Sequence, residues 1–209
     1  YRIFYNGEIL SNNLNTKDIE VVNKYYIKDK YYYYLEIPDI SESTGAVTNI
    51  RRLKGNQINS NSLVVFEPGD ILFSRINPRK NRVTLIPNFD KAEDINCVTS
   101  GEIYVLKYKK NSYISASNIN ALVPILRSNG VKKQIVRLGG GSSSSRARVY
   151  VDDLENVQIP KISVEKLNRL SALATLNSNS IWEESQKYIS NYIKMQEIID
   201  SDENKDEYR

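Results

Sequence analysis

Residues 138–160 read LGGGSSSSRARVYVDDLENVQIP, and the division of the chain turns on them. Gly139, Gly140 and Gly141, followed by Ser142, Ser143, Ser144 and Ser145, form the most flexible composition in the chain. Such a run suits a linker or a mobile surface loop. Arg146-Ala147-Arg148-Val149-Tyr150-Val151 then reads as a strand. After Asp152-Asp153-Leu154 comes a short apolar segment, Val157-Gln158-Ile159, stopped by Pro160. The residues before this stretch mix short apolar runs with turn signals. Those after it carry one helical pattern. The expected fold class is α+β: a mixed, sheet-containing body over residues 1–162, then a long C-terminal helix of coiled-coil type over residues 163–209, ending in a charged tail.

The Gly/Ser run has a second reading besides the mobile loop. Exposed backbone N–H groups and small hydroxyls, closed by Arg146 and Arg148, are donors suited to phosphate oxygens, and arginine also reads guanine edges. A Walker-type phosphate loop does not fit. It needs a preceding strand, a following helix and a closing lysine, and here the run leads into the expected strand.

Upstream lies a second informative stretch, LVVFEPGDILFSRINPRKNRVTLI over residues 63–86. Pro68-Gly69 marks a tight turn between two apolar strands. The loop that follows holds Arg75, Asn77, Arg79, Lys80, Asn81 and Arg82 before Val83 resumes a strand. Arginine suits guanine and asparagine suits adenine, so this loop has the chemistry to read base edges. The competing reading is a solvated hairpin tip. Arg51, Arg52 and Lys54 make a smaller basic group.

Elsewhere the pattern is plainer. Residues 1–5 suit a strand, Asn6-Gly7 a turn, and residues 14–22 the start of a short helix capped by Asn15 or Thr16. The tyrosines at 25–26 and 31–34 favour strands turned at Asp29-Lys30. Half-buried tyrosines on a sheet are favoured over a platform for stacking bases. Residues 98–106 predict another strand pair or a bulged strand. Ile119, Leu122, Val123 and Leu126 give helical spacing over 115–127, with Asn129-Gly130 as its end. From Ser163, an expected N-cap, Leu167, Leu170, Leu173, Ala174, Ile181, Tyr188, Ile189, Tyr192, Met195 and Ile199 predict a helix of about 35 residues. A helix that long projects from a small body unless a second helix covers its stripe.

Composition narrows the chemistry. The 209 residues contain no histidine and one cysteine, Cys97. That excludes Ser-His-Asp and Cys-His catalysis, removes the commonest base and disfavours zinc. It also forbids an internal disulfide and fits a reducing compartment. Cys97 reads as a small core residue rather than a nucleophile. Asp70, Asp90, Glu93, Asp94, Asp152 and Asp153 show no metal-loop or paired-carboxylate spacing. No cofactor is expected. No apolar run approaches the roughly 20 residues of a membrane span. The net charge is +4, a modest bias compatible with nucleic acid.

These motifs together resemble the specificity subunit of type I restriction–modification systems. The matching residues are ISESTG at 40–45, PGDILFSR at 68–75, SGEIYVL at 100–106 and SRAR at 145–148 running to DDLENVQIP at 152–160. The helix after Pro160 stands where that family has its helical region. The resemblance implies a target-recognition domain that contacts double-stranded DNA, and a helical arm that pairs with a second arm, from a second recognition domain or a homodimer. It implies docking to a DNA methyltransferase subunit and a restriction subunit, in the cytoplasm, with DNA methylation and cleavage carried by those subunits. The absence of Asn-Pro-Pro-Tyr, Asp-Pro-Pro-Tyr and a Gly-rich S-adenosylmethionine motif agrees. The DNA-binding residues expected are Arg51, Arg52, Arg75, Asn77, Arg79, Lys80, Arg82, Ser142, Ser143, Ser144, Ser145, Arg146 and Arg148.

The chain departs from the family in having room for one recognition domain and one arm. It opens on Tyr1-Arg2 without a methionine, which leaves a half-length subunit and a piece of a longer polypeptide both open. Two alternatives stand beside the main reading. One is the recognition domain of a fused N6-adenine DNA methyltransferase. The other is a non-DNA interaction scaffold whose helix is its main surface.

Overall fold

A computed structural model describes residues 7–9, 14–15, 21–22, 28–60, 62–108, 114–140 and 146–206, with side chains described from 28 to 198. The strands are β1 (Gly7–Ile9), β2 (Leu14–Asn15), β3 (Val21–Val22), β4 (Tyr31–Leu35), β5 (Arg51–Lys54), β6 (Leu63–Phe66), β7 (Ile71–Ser74), β8 (Val83–Leu85), β9 (Cys97–Ser100), β10 (Ile103–Tyr108) and β11 (Gln158–Pro160). The helices are α1 (Leu122–Arg127), α2 (Asn129–Leu138), α3 (Val151–Glu155) and α4 (Val164–Asp206).

Among the described residues the strands form a five-stranded sheet, β3-β6-β9-β4-β5, a four-stranded sheet, β2-β10-β7-β8, and the pair β1-β11. The turns at Pro68-Gly69 and Gly101-Glu102 each carry the chain from the five-stranded sheet to the four-stranded one. Each therefore joins strands that pair with others. Gly69 has φ +87°, and the Asp70 carboxylate accepts the Glu67 N–H at 3.0 Å, which closes that turn.

Strand alternation builds the layers. Leu72, Ile103 and Val105 face Leu35, Val64, Phe66 and Cys97 between the sheets. Their neighbours Ile71, Phe73, Tyr104 and Leu106 face α1, α2, α3 and Leu167 of α4. A third cluster, Tyr32, Tyr34, Ile58, Leu63 and Val98, seals the outer face of the five-stranded sheet. The sheet-buried reading of these two tyrosines therefore holds. Tyr33 meets Phe89 edge-on at 5.5 Å, and Tyr31 is exposed. Cys97 is wholly buried, and burial pushes its thiol up to about 12, so it is a core residue and no nucleophile.

Four local expectations are corrected. Residues 14–15 and 21–22 pair with the ends of β10 and β6 as strands, not as a helix; open sheet edges override a weak helical spacing. The helix expected over 115–127 begins only at Leu122, after a 3-10 turn at Ile119–Ala121. The Asn118 side chain holds the Ser115 N–H at 2.9 Å, and Pro124 has no N–H to bond upstream. Asn129-Gly130 does not end the run: Ser128 breaks it with ψ 148°, and α2 starts at Asn129. Residues 146–151 are not a strand. Arg148 makes single bridges to Ile76 and Gly140, and Val151 opens α3, whose first turn holds Asp152 and Asp153 where acids favour a helix start. The strand expected at 1–5 lies outside the described residues.

The long helix is present and extends further than its apolar spacing suggests, through Asp206 over 43 residues, or about 65 Å. The Ser163 hydroxyl accepts the Lys166 N–H at 3.4 Å, as its N-cap role requires. The body covers the first half of α4. Ser178 donates to the Leu85 carbonyl at 2.8 Å, Asn120 donates to Thr175 at 3.0 Å, and Asn88 donates its N–H to Asn179 at 3.0 Å. Trp182 packs on Phe89. Thr175, Ser178 and Asn179 are thus polar docking contacts of this helix on the body. Further on, Tyr188, Tyr192, Ile193, Met195 and Ile198 are exposed. Among the described residues no helix is long and apolar enough to cross a membrane.

Candidate nucleic-acid interface

The hairpin of β7 and β8 and the base of the Gly/Ser loop are about 70 residues apart in sequence, yet they are joined in the fold. The Val149 N–H donates to the Arg75 carbonyl at 2.9 Å, and the Asn77 N–H donates to the Ala147 carbonyl at 2.9 Å. Gly140 and Arg148 exchange both backbone hydrogen bonds, at 3.0 and 2.8 Å, so the residues that flank the Gly/Ser run are paired. Ser142, Ser143, Ser144 and Ser145, between these two residues in sequence, lie outside the described residues.

Glu102 sits at this joint. Its carboxylate accepts Arg75 Nε at 2.7 Å and Arg148 Nη2 at 2.9 Å. The Arg148 guanidinium, with Arg75 beside it, holds the Glu102 carboxyl below the usual range against the opposing effect of burial. Arg75 also lies 5.8 Å from the Tyr104 ring centre, and the Tyr104 hydroxyl donates to the Val149 carbonyl at 3.2 Å. Glu102 lies within the SGEIYVL motif, but its pairing role is not legible there, because its two partners sit at separations of 27 and 46 residues.

The loop tip is a 3-10 turn, Pro78–Lys80, flanked by Asn77 and Asn81, both left-handed with φ 47° and 48°. Asparagine tolerates that region better than most residues. Lys80 and Arg82 both reach Glu42, at 2.6 and 2.9 Å, and Arg82 Nε donates to the Ile40 carbonyl at 3.1 Å. Asn81 is only 6 % exposed, and its amide donates to the Arg127 carbonyl. It is a structural residue here, tying the loop tip to α1. Arg127 answers from α1 by donating to the carbonyls of Asn81, Glu42 and Ser43. Arg79 and Arg146 are exposed, and among the described residues neither side chain has an ion-pair or hydrogen-bond partner.

Arg51 and Arg52 belong to β5, at the edge of the other sheet. Arg51 is paired with Glu36 at 2.9 Å and Asp39 at 3.0 Å. Arg52 and Lys54 lie 4.7 and 5.6 Å from the exposed Tyr31 ring. Among the described residues no group of three or more side chains could hold a metal ion.

No protein-family model and no curated protein sequence matches the chain. Solved structures do. One is the crystal structure of an HsdS subunit from Thermoanaerobacter tengcongensis: TM-score 0.61, 17% identity, 93% of this chain and 46% of that one covered. Another belongs to a structure concerned with complex assembly and conformational transition of the type I R-M system: TM-score 0.60, 17% identity, 94% and 46% covered. The chain thus spans about half the length of these neighbours, and mixed sheets followed by one long helix are the fold it shares with HsdS subunits.

Proposed function

We propose that the chain is a DNA-reading module of a type I specificity subunit, without catalysis of its own. The body over residues 1–162 reads one half-site of a bipartite target. The arm from residue 163 pairs with a second arm, supplied by a second copy or by another half of the same polypeptide. In that role the partners are double-stranded DNA, a DNA methyltransferase subunit and a restriction subunit, and the location is cytoplasmic. The observation that carries this reading is the junction of the two basic loops, where Arg79 and Arg146 are exposed and, among the described residues, have no ion-pair partner.

Within the site the roles divide by what each cation already touches. Arg75 and Arg148 are held by Glu102, and Lys80 and Arg82 by Glu42. They fix loop shape and leave a weaker field toward DNA. Arg79 and Arg146 have free donors for base edges. Asn77 and the hydroxyls at 142–145 contribute contacts from the same two loops, and Arg51 and Arg52 give at most outlying phosphate contacts. The exposed stripe from Tyr188 to Ile198 supports a paired arm.

Replacement of Arg79 or Arg146 by alanine tests the division. Each base-reading arginine should lose about 1–3 kcal/mol of binding and relax one position of the recognised sequence. Competition binding with single-substitution duplexes measures both. An equal loss on every duplex would reassign that arginine to a phosphate.

A further inference from the structure

We infer that the outward face of α2 grips the phosphate backbone of the duplex that the two loops read; this rests on the DNA-binding reading above. Helix α2 has the sequence NGVKKQIVRL, with three cations and no acid. Val131 and Ile135 are in the core, which turns Lys132, Lys133 and Arg137 outward around a shallow depression that also includes Asn129 and Val136. Among the described residues none of these three cations has an ion-pair partner. That separates them from Arg51, Arg75, Lys80, Arg82 and Arg148, all of which are paired with carboxylates.

The face is held rigidly. Gln134 and Gln158 exchange two hydrogen bonds, at 2.8 and 3.0 Å, which fixes the rotation of the helix. It is also placed beside the loops. A Cβ on Gly139, at the end of α2, would lie 2.7 Å from the Pro78 ring, so the turn bearing Arg79 sits directly against it. The next residue, Gly140, pairs with Arg148. Lysine is a compact, strongly hydrated point charge, a form that phosphate oxygens accept without demanding a fixed geometry. A face dominated by lysine beside loops rich in arginine therefore supplies position, and the loops supply sequence.

The test is DNA binding of the full chain as a function of salt, with the wild type and the triple variant Lys132→Ala, Lys133→Ala, Arg137→Ala. Two duplexes are used: one enriched by selection and one scrambled. Each phosphate contact contributes about 0.9 to the slope of log affinity against log salt. The triple variant should therefore lose about 2–3 of slope on both duplexes, with the ratio between them unchanged. A variant with Lys132→Arg, Lys133→Arg and Arg137→Lys should keep the wild-type slope. An unchanged slope in the alanine variant would overturn the inference and leave the face to another anion, such as an acidic protein surface. A changed ratio between the duplexes would overturn it too, because the face would then be reading bases. Loss of slope in the charge-preserving variant would show that charge is not what matters. Wild-type protein that binds neither duplex would fail the DNA-binding reading itself.

Discussion

The Arg127→Ala variant is expected to unfold with a stability loss of about 2–4 kcal/mol, since hydrogen bonds to charged groups are worth roughly 1.5–3 kcal/mol each and do not add fully. Arg127 reaches from α1 to three backbone carbonyls, of Asn81, Glu42 and Ser43. Its own carbonyl accepts the Asn81 amide. Burial lowers its pKa from the usual arginine value, and carbonyl oxygens are its hydrogen-bond acceptors. The alanine variant removes every one of these donors. It also frees the loop that includes Gly45, whose φ of +75° and close approach to the Val83 carbonyl leave no room for a side chain. Arg127→Lys should recover little, because one ammonium cannot span carbonyls that a planar fork reaches together. Denaturant unfolding of the variants measures this. A loss under about 0.5 kcal/mol, the scale of an ordinary surface substitution, would contradict it. DNA affinity should fall with stability near the midpoint, and the base preference should persist in the folded fraction.

Glu102→Ala should act chiefly on DNA discrimination. Its carboxylate bridges Arg75 and Arg148. Without it two guanidinium groups face each other at the joint of the loops. The stability cost is about 1–2 kcal/mol, below the 3–5 kcal/mol of a fully buried pair because water screens this one in part. The net charge of the face rises by one unit. Affinity for scrambled DNA should therefore hold or rise, while the ratio of specific to scrambled binding falls by roughly tenfold, the equivalent of about 1.4 kcal/mol. Unchanged discrimination would show that Glu102 is not what fixes the loops. The pair also gives a pH dependence. Arg148 and Arg75 depress the Glu102 pKa in the folded protein. The pair's stabilisation is therefore present above the unfolded value of about 4.3 and is lost as pH falls through the lower folded value. The wild type should lose this increment in acid, and Glu102→Ala should have none to lose.

Much of this architecture is legible in local sequence. The β7–β8 hairpin with its basic tip, the buried tyrosines of β4 and the long helix all follow from patterns spanning a few residues. The misreadings share a different cause. Residues 146–151 have strand composition, but one backbone bridge on each side of Arg148 and an acid-rich start to α3 decide their form. Asn81 has the chemistry of a base reader and is instead buried against Arg127. Glu102 and Glu42, the acids that bind the arginines, come from distant parts of the chain. Which cations are free depends on those long-range pairs, so spacing alone overcounts the residues available to DNA. The first half of α4 carries the same lesson. Its Asn, Ser and Thr residues break a coiled-coil pattern but match polar groups on the body.

The most direct test of the central claim is selection of the purified chain on a randomised duplex pool at two salt concentrations, followed by sequencing. The account predicts enrichment of a short half-site, with affinity that falls steeply as salt rises; a two-part site with a fixed spacer would add pairing of the α4 arms. Recovery of an unenriched pool at both salt concentrations, or affinity indifferent to salt, would contradict it.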